Sequence, residues 1–170
     1  MLSLIIPCFN EEENLEKLLS SIKSLIKKYS SEKIEILIVD NGSTDRSKEI
    51  IIKNSLFLEN KISLIKIDKN IGYGNGIHKG ILSSKGEFIA WCHADLQIDP
   101  HDVIEIFLKS KEKLLSKKCV VKGKRIKRCF FDEIFTVGMS IITLIFFKFF
   151  LNDINAQPKI FHKEFINKLK

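Results

Sequence analysis

Short, mostly apolar runs punctuate this chain at Leu2–Ile6, Ile34–Val39, Ile62–Ile67 and Phe88–Trp91. Runs of that length, bounded by Gly, Asp or Asn, read as strands buried on both faces. Between them the apolar period lengthens to that of a helix. Leu15, Leu18, Leu19, Ile22, Leu25 and Ile26 form one stripe of the kind that packs a helix on a core. Asn10 can cap this helix, with Glu11, Glu12 and Glu13 in its first turn, where carboxylates meet the positive dipole end. Ser43 or Thr44 can cap a second helix running to about Phe57. The glycine-rich turn Asn70–Gly76 opens a third, to about Ser84. A fourth begins near Pro100, with Val103, Ile104, Phe107, Leu108, Leu114 and Leu115 facing inward, and Cys119–Val121 is a short strand. Strands alternating with helices predict an α/β fold, a Rossmann-like and mainly parallel sheet with helices on both faces.

Composition changes this picture little. The 170 residues suffice for one domain with a sizeable core, and 45% hydrophobic with 29% charged residues is an ordinary globular balance. The formal charge of +7 admits nucleic acid, an anionic membrane surface or a phosphorylated substrate as partner. Nucleic acid is disfavoured, because the basic run is confined to one segment and lacks interleaved aromatics. Cys8, Cys92, Cys119 and Cys129 contain no C-x-x-C pair, so neither a zinc site nor a redox motif is indicated. Cys8 and Cys92 adjoin strands and are expected inside as small reduced apolar groups. Met1–Pro7 lacks a basic leader and a cleavage site, and reads as a first strand, not a signal peptide.

The chemistry gathers where strands end. The first gives Pro7-Cys8-Phe9-Asn10-Glu11, the second Asp40-Asn41-Gly42-Ser43-Thr44-Asp45, the fourth His93-Ala94-Asp95-Leu96-Gln97. Each alone reads equally as a turn with a helix cap, as Asp99 before Pro100 illustrates. Together, on the carboxyl edge of one sheet, they make a pocket of carboxylates, amides and helix N-termini suited to a nucleotide or another phosphorylated ligand. Asp95 and Gln97 lie two apart, so in an extended segment they face one side. Two oxygen ligands suit a hard divalent cation that keeps other positions for water and phosphate. The turn at Gly72–Gly76 is neither a P-loop nor G-x-G-x-x-G, which disfavours a dinucleotide site. Its glycines also read as simple relief for positive φ and close helix packing.

The stretches LSLIIPCFNEEENL (2–15), EILIVDNGSTD (35–45), NIGYGNGIHKG (70–80), GEFIAWCHADLQIDP (86–100) and VVKGKR (120–125) together resemble the family 2 glycosyltransferases of the GT-A fold. The resemblance is strongest to those that use a polyprenyl phosphate. It implies an inverting, metal-dependent transferase with a nucleotide-diphospho-sugar donor. By that resemblance Pro7, Phe9, Asn10 and Glu11 line the nucleotide pocket and Asp40 contacts the base. Gly42, Ser43, Gly72 and His93 complete the donor side. Asp95, with Gln97 alongside, holds Mg²⁺ or Mn²⁺ bridging the donor diphosphate, where it offsets charge on the leaving group. One departure stands out: His93 occupies the place where the family's D-x-D begins with Asp. Imidazole is a poorer ligand than carboxylate for Mg²⁺ and suits Mn²⁺ better.

Residues 1–129 are thus expected to form the donor-binding catalytic unit, with 130–170 as an acceptor-side segment packed on the same domain. Lys117 to Arg128 is densely positive. It reads as a solvated basic face, or as cations lying against anionic headgroups. Arg125 falls where the resemblance places an arginine on donor or acceptor phosphate. Ile134–Phe147 carries no charge. It is short against the roughly 20 apolar residues needed to cross a bilayer, so an interfacial helix or one buried on the sheet is expected. Asp153 starts an element resembling D-x-x-S-G-F, with Ala-Gln-Pro-Lys in place of Ser-Gly, and would orient the acceptor or take its proton. The expected acceptor is a polyprenyl phosphate, with a saccharide hydroxyl in cell-surface polysaccharide or cell-wall synthesis second. A non-catalytic nucleotide-sugar-binding module is the remaining alternative. The expected location is cytoplasmic, peripheral at the inner face of the membrane. Homo-oligomerisation is left open.

Overall fold

The computed structural model describes residues 1–116, 119–123, 130–148, 153 and 156–167, and for 130–136, 147 and 167 the backbone alone. Strands β1 (Leu2–Cys8), β2 (Ile34–Asp40), β3 (Ser63–Lys66), β4 (Phe88–Trp91), β5 (Val120–Lys122) and β6 (Lys159–His162) form one sheet. Its order is β3-β2-β1-β4-β6-β5. The helices are α1 (Glu12–Lys28), α2 (Ser47–Lys53), α3 (Ser55–Leu58), α4 (Tyr73–Ser83), α5 (Pro100–Leu114), α6 (Phe130–Phe147) and α7 (Glu164–Asn167).

β1 is buried at every position, which explains why it is apolar at all but Ser3 instead of alternating. It pairs in parallel with β2 and with β4, and β3 extends β2 in parallel. Alternate residues of the strands feed two separate cores. Leu4, Ile6, Ile36, Ile38 and Ala90 pack with Leu15, Leu18 and Ile22 of α1 and Val103, Ile104 and Phe107 of α5. Ile5, Leu37, Val39, Ile89 and Phe161 pack on the other face with Ile81 of α4 and Phe165 and Ile166 of α7. Helices therefore cover both faces of a mainly parallel sheet, as the pattern predicts.

Three local expectations are corrected. Asn10 does not cap α1: the cap position is Glu11, without a side-chain cap bond, and Asn10 stands before it at φ 54. The second helix does not begin at Ser43 or Thr44. It starts at Ser47 and breaks at Asn54, whose extended backbone and Oδ1, accepting from Leu56 N, begin α3 afresh. Leu115 does not face inward. It is 57% exposed, one residue past the fully buried Leu114, because the α5 stripe ends there. The segment from 159 to 162, for which the sequence pattern announces no element, is a strand: β6 runs antiparallel between β4 and β5, so it alone opposes the sense of the other strands of the sheet among the described residues.

Candidate functional site

The chain leaves β1, builds β2 and β3 on one side, and returns to place β4 on the other. The strand order therefore reverses between β1 and β4. Helix-connected loops diverge there and open a crevice at the carboxyl ends of the strands. Register brings Cys8 of β1 level with Asp40 of β2, and Ile5 level with Trp91 of β4. The polar segments that follow each strand thus share one edge.

On the β1–β2 side these segments are laced together. The Asn10 backbone N–H donates to Ser43 Oγ at 3.1 Å, and Asn10 Oδ1 accepts from Thr44 N at 2.8 Å. Glu11 N donates to Ser47 Oγ, and Glu12 N to Asp45 Oδ2. Glu12 returns the contact by accepting from Arg46 N at 2.9 Å. Two helix starts therefore satisfy each other's unpaired N–H groups across the loops, in place of local capping. Burial alone would raise the Asp45 carboxyl, but the N–H and hydroxyl donors of Ser47 and the N–H of Glu12 hold it below the usual range. Asp40 is buried, with Oδ1 accepting from Ser43 N at 2.9 Å. Gly42 sits at φ 80, where a Cβ would come 2.8 Å from Asn70 N; only glycine fits this crossing. Phe9 is 42% exposed beside the buried Pro7.

Asn41 ties in the third loop. It is 2% exposed, and its Nδ2 donates to Asn70 Oδ1 at 3.1 Å and to Gly72 O at 3.2 Å. That fixes Gly72 (φ 109), the cap residue of α4. The next residue, Tyr73, stacks on His93 with ring centroids 5.2 Å apart and planes at 30°. His93 is half-buried, and the stacking holds the residue that the family resemblance sets at the start of D-x-D against the first turn of α4.

The segment after His93 is a turn, not the extended stretch that the two-residue spacing of Asp95 and Gln97 assumed. Leu96 stands at φ 59, and Asp95 Oδ1 accepts from Gln97 N at 3.0 Å. Gln97 meets Asp95 through its backbone and is itself exposed. Asp95 is half-buried. Beneath it Cys92 is wholly buried, its thiol pushed up to about 12 by desolvation and then by the charges of Asp95 and Asp99. Cys8 is likewise pushed up to about 12, by burial and then by Asp40. Both thiols are inert packing groups.

Among the described residues no three His, Cys, Asp or Glu side chains converge on one point. The donor set nonetheless fits a hard cation that draws most of its shell from phosphate and water. Asp95 offers one carboxylate, of which Oδ2 takes no hydrogen bond among the described residues.

Beyond β4 the edge is built by β5, where Cys119–Val121 already reads as a short strand, and by β6, which the apolar pattern did not reveal. Trp91, Lys159 and Lys122 lie in one row across β4, β6 and β5. Asp153 stands beside it at φ 46, its backbone carbonyl accepting from Lys122 Nζ at 3.1 Å and from Ala156 N at 3.0 Å. Arg125 lies outside the described residues. Sequence reasoning also passed over Asn41, Tyr73, Trp91 and Lys159. Asn41 had a visible signal, an amide directly following the last acid of a strand. Lys159 had none, because its place depends on pairing with distant strands.

The mainly parallel sheet and its polar switch-point crevice define an α/β protein of the GT-A type. Solved structures share this fold. A mannosyltransferase from Pyrobaculum calidifontis, in complex with GDP-Man and Mn²⁺, superposes with a TM-score of 0.64 at 20% identity, over 99% of this chain and 46% of that one. The glucosyl-3-phosphoglycerate synthase of Mycobacterium tuberculosis, in complex with UDP, gives 0.65 at 16% identity, over 96% of this chain and 57% of that one. The family model "Glycosyl transferase family 2" matches residues 3–162, and the chain belongs to that family. It is 30% identical to a dolichyl-phosphate beta-glucosyltransferase of Trichomonas vaginalis, over 96% of this chain and 53% of that protein. It is 36% identical to an undecaprenyl-phosphate 4-deoxy-4-formamido-L-arabinose transferase of Photorhabdus laumondii, over 59% of this chain and 31% of that protein. The chain spans from about a third to about half the length of these curated relatives.

Proposed function

We propose that the chain is the donor-binding part of an inverting glycosyltransferase that moves a sugar from a nucleotide diphosphate to a polyprenyl phosphate. The observation that carries this reading is the gathering of Asn10, Asp40, Asn41, His93 and Asp95 at one switch-point crevice. The membership of the chain in a transferase family, and its likeness to lipid-phosphate sugar transferases, support it.

In this reading Asp40 and the loops laced to it receive the nucleoside, and Pro7, Phe9, Asn10, Glu11, Gly42, Ser43 and Gly72 shape the pocket. Asp95 would hold Mg²⁺ or Mn²⁺ for the donor diphosphate, with Gln97 supporting the Asp95 turn and His93 favouring Mn²⁺ over Mg²⁺. A bound divalent cation supplies Lewis-acid stabilisation of the leaving diphosphate. An acceptor phosphate oxygen attacks the anomeric carbon from the face opposite the leaving group, its bond forming as the sugar–diphosphate bond breaks. A phosphate monoester is already anionic near neutral pH and needs no base, so Asp153 serves to position the acceptor side and not to take a proton. Arg125 is assigned to phosphate.

The membrane enters through α6. Ile142 (48% exposed), Ile145 (67%) and Phe146 (76%) project apolar side chains into solvent, whereas Ser140 is buried. The helix is thus not folded away against the sheet along these residues. No described helix is long and apolar enough to cross a membrane. An apolar helix after the basic stretch Lys117–Arg128 suits peripheral docking on an anionic leaflet, at the inner face in the proposed cytoplasmic setting.

The test is incubation of the purified chain with Mn²⁺, a panel of nucleotide-sugars and polyprenyl phosphate. Metal-dependent release of nucleoside diphosphate together with a polyprenyl-phosphate sugar is expected. Product only with a saccharide hydroxyl would move the acceptor assignment, and tight nucleotide-sugar binding without turnover would overturn the enzyme reading.

A further inference from the structure

We infer that Tyr73 is a positioning residue of the metal site: its ring, stacked on His93, holds the imidazole so that a ring nitrogen joins Asp95 on the cation. The inference rests on the donor-site reading above and extends it to a residue that reading leaves out. His93 stands two residues before Asp95, which puts their Cα atoms at most about 7 Å apart, within reach of one ion. Cys92 and Ala94 lie in the core, whereas His93 and Asp95, alternating with them, are half-buried. The chain therefore directs both groups away from that core.

Imidazole binds a cation through a lone pair in the plane of the ring. A metal-bound histidine is ordinarily oriented by a hydrogen bond from its other ring nitrogen to a carboxylate or carbonyl. His93 makes no such bond among the described residues. Tyr73 holds it instead, with ring centroids 5.2 Å apart and planes at 30°, within the offset-stacked range. A stack occupies a face of the imidazole and leaves the nitrogens at its edge available. It fixes the plane in which a metal bond must lie, and it removes in advance the rotamer freedom that the ring would lose on binding.

Tyr73 is itself set from the loop after β2. It is the first residue of α4, next to the cap residue Gly72. Gly72 N donates to Asn70 Oδ1 at 2.8 Å, and Gly72 O accepts from Asn41 Nδ2 at 3.2 Å. Asn41 is buried and follows Asp40 directly. Asp40, Asn41, Gly72, Tyr73, His93 and Asp95 thus form one line of bonded and packed contacts, from the end of β2 to the turn after β4. Tyr73 is 50% exposed, so its ring adds little to the core, and changing it tests the site more than the fold.

The experiment compares the full chain with Tyr73→Phe, Tyr73→Leu, Tyr73→Ala and His93→Ala, each checked by thermal melting. Mn²⁺ and Mg²⁺ are titrated separately by calorimetry, with UDP and with GDP. Pulsed electron paramagnetic resonance of the Mn²⁺ complexes reads coupling to imidazole nitrogen, taken as the part of the nitrogen signal that His93→Ala abolishes. Tyr73→Ala and Tyr73→Leu are expected to weaken Mn²⁺ by about tenfold and to reduce that signal. Tyr73→Phe, which keeps the stacking ring, is expected to retain both. Mg²⁺ is expected to lose less than Mn²⁺, because imidazole is the poorer ligand for it. An undiminished signal and Mn²⁺ affinity in Tyr73→Ala would overturn the inference. So would a loss in Tyr73→Phe equal to that in Tyr73→Ala, which would give the role to the hydroxyl. Equal losses of Mn²⁺ and Mg²⁺ would mean a general disturbance of the turn and overturn it too, as would wild-type chain that binds no Mn²⁺. Wild-type chain that transfers sugar without the nitrogen signal would sink the inference alone. Wild-type chain that gives the signal and transfers no sugar would sink the transferase reading and leave the role of Tyr73 standing.

Discussion

On the β1–β2 flank of the crevice, three loops hold one another by named hydrogen bonds: Asn10 to Thr44, Ser43 to Asp40, Asn41 to Asn70 and Gly72. On the β6–β5 flank, the edge is set by strand register and by one glycine pressed against a turn. The first flank is a mesh with several redundant ties. The second is a single seam. A mesh tolerates loss of one strand of contact and keeps the crevice in shape. A seam keeps its register only while its closest packing is intact.

The sharpest break in this comparison comes at the residue between the two flanks. Asp95→Ala removes the one carboxylate of the β4 turn and its bond to Gln97 N. Metal-dependent sugar transfer is expected to fall by about 10²-fold or more, with the melting temperature nearly unchanged because the residue is only half-buried. Steady-state kinetics in Mn²⁺ check this; activity surviving the change would remove the metal assignment from Asp95.

The seam should fail next. Gly123→Ala forces a methyl into the Gln157 carbonyl, which a backbone atom cannot evade cheaply. A loss of about 2–3 kcal/mol is expected, read by urea denaturation. If register is the only tie, hydrogen exchange should rise at 120–122 and 159–162 while β1 and β2 stay protected. The mesh should lose less to a comparable insult. Asn10→Ala deletes the bonds to Thr44 and leaves a left-handed backbone without the side chain that tolerates it. About 1–2 kcal/mol is expected, and Asn10→Gly should recover the backbone share alone.

The same contrast explains what could be read in advance. Leu2–Ile6, Ile34–Val39 and Phe88–Trp91 are strands buried on both faces, so their mostly apolar runs announce them, and the polar residues after them mark the edge. The helix starts were misplaced because their N–H groups are satisfied by residues about 33 positions away, which no local capping rule detects. β6 was missed because Lys159-Ile160-Phe161-His162 neither alternates nor runs apolar; it is a strand only because β4 and β5 supply partners on both sides. Tyr73 on His93 is likewise a contact between elements, visible only once α4 is laid on the sheet.

The smallest effect tests whether the mesh is electrostatic as well as geometric. Asp45 accepts from Ser47 N at 2.9 Å and Glu12 N at 3.1 Å, and these bonds depress its carboxyl in spite of burial. A depressed folded value means that the stabilisation is complete above the unfolded carboxyl range, near 3.9, and is lost as pH falls through the folded value. The acid limb of the urea midpoint, followed from about pH 6 to about pH 2.5, should therefore steepen below about pH 4. Asp45→Asn should be slightly less stable at neutral pH, since its amide accepts more weakly than a carboxylate, and should show a shallower acid limb. Equal acid limbs in the two proteins would mean that the loops are held by shape and hydroxyl contacts alone. The advantage of the mesh over the seam would then lie in the number of its ties and not in their charge.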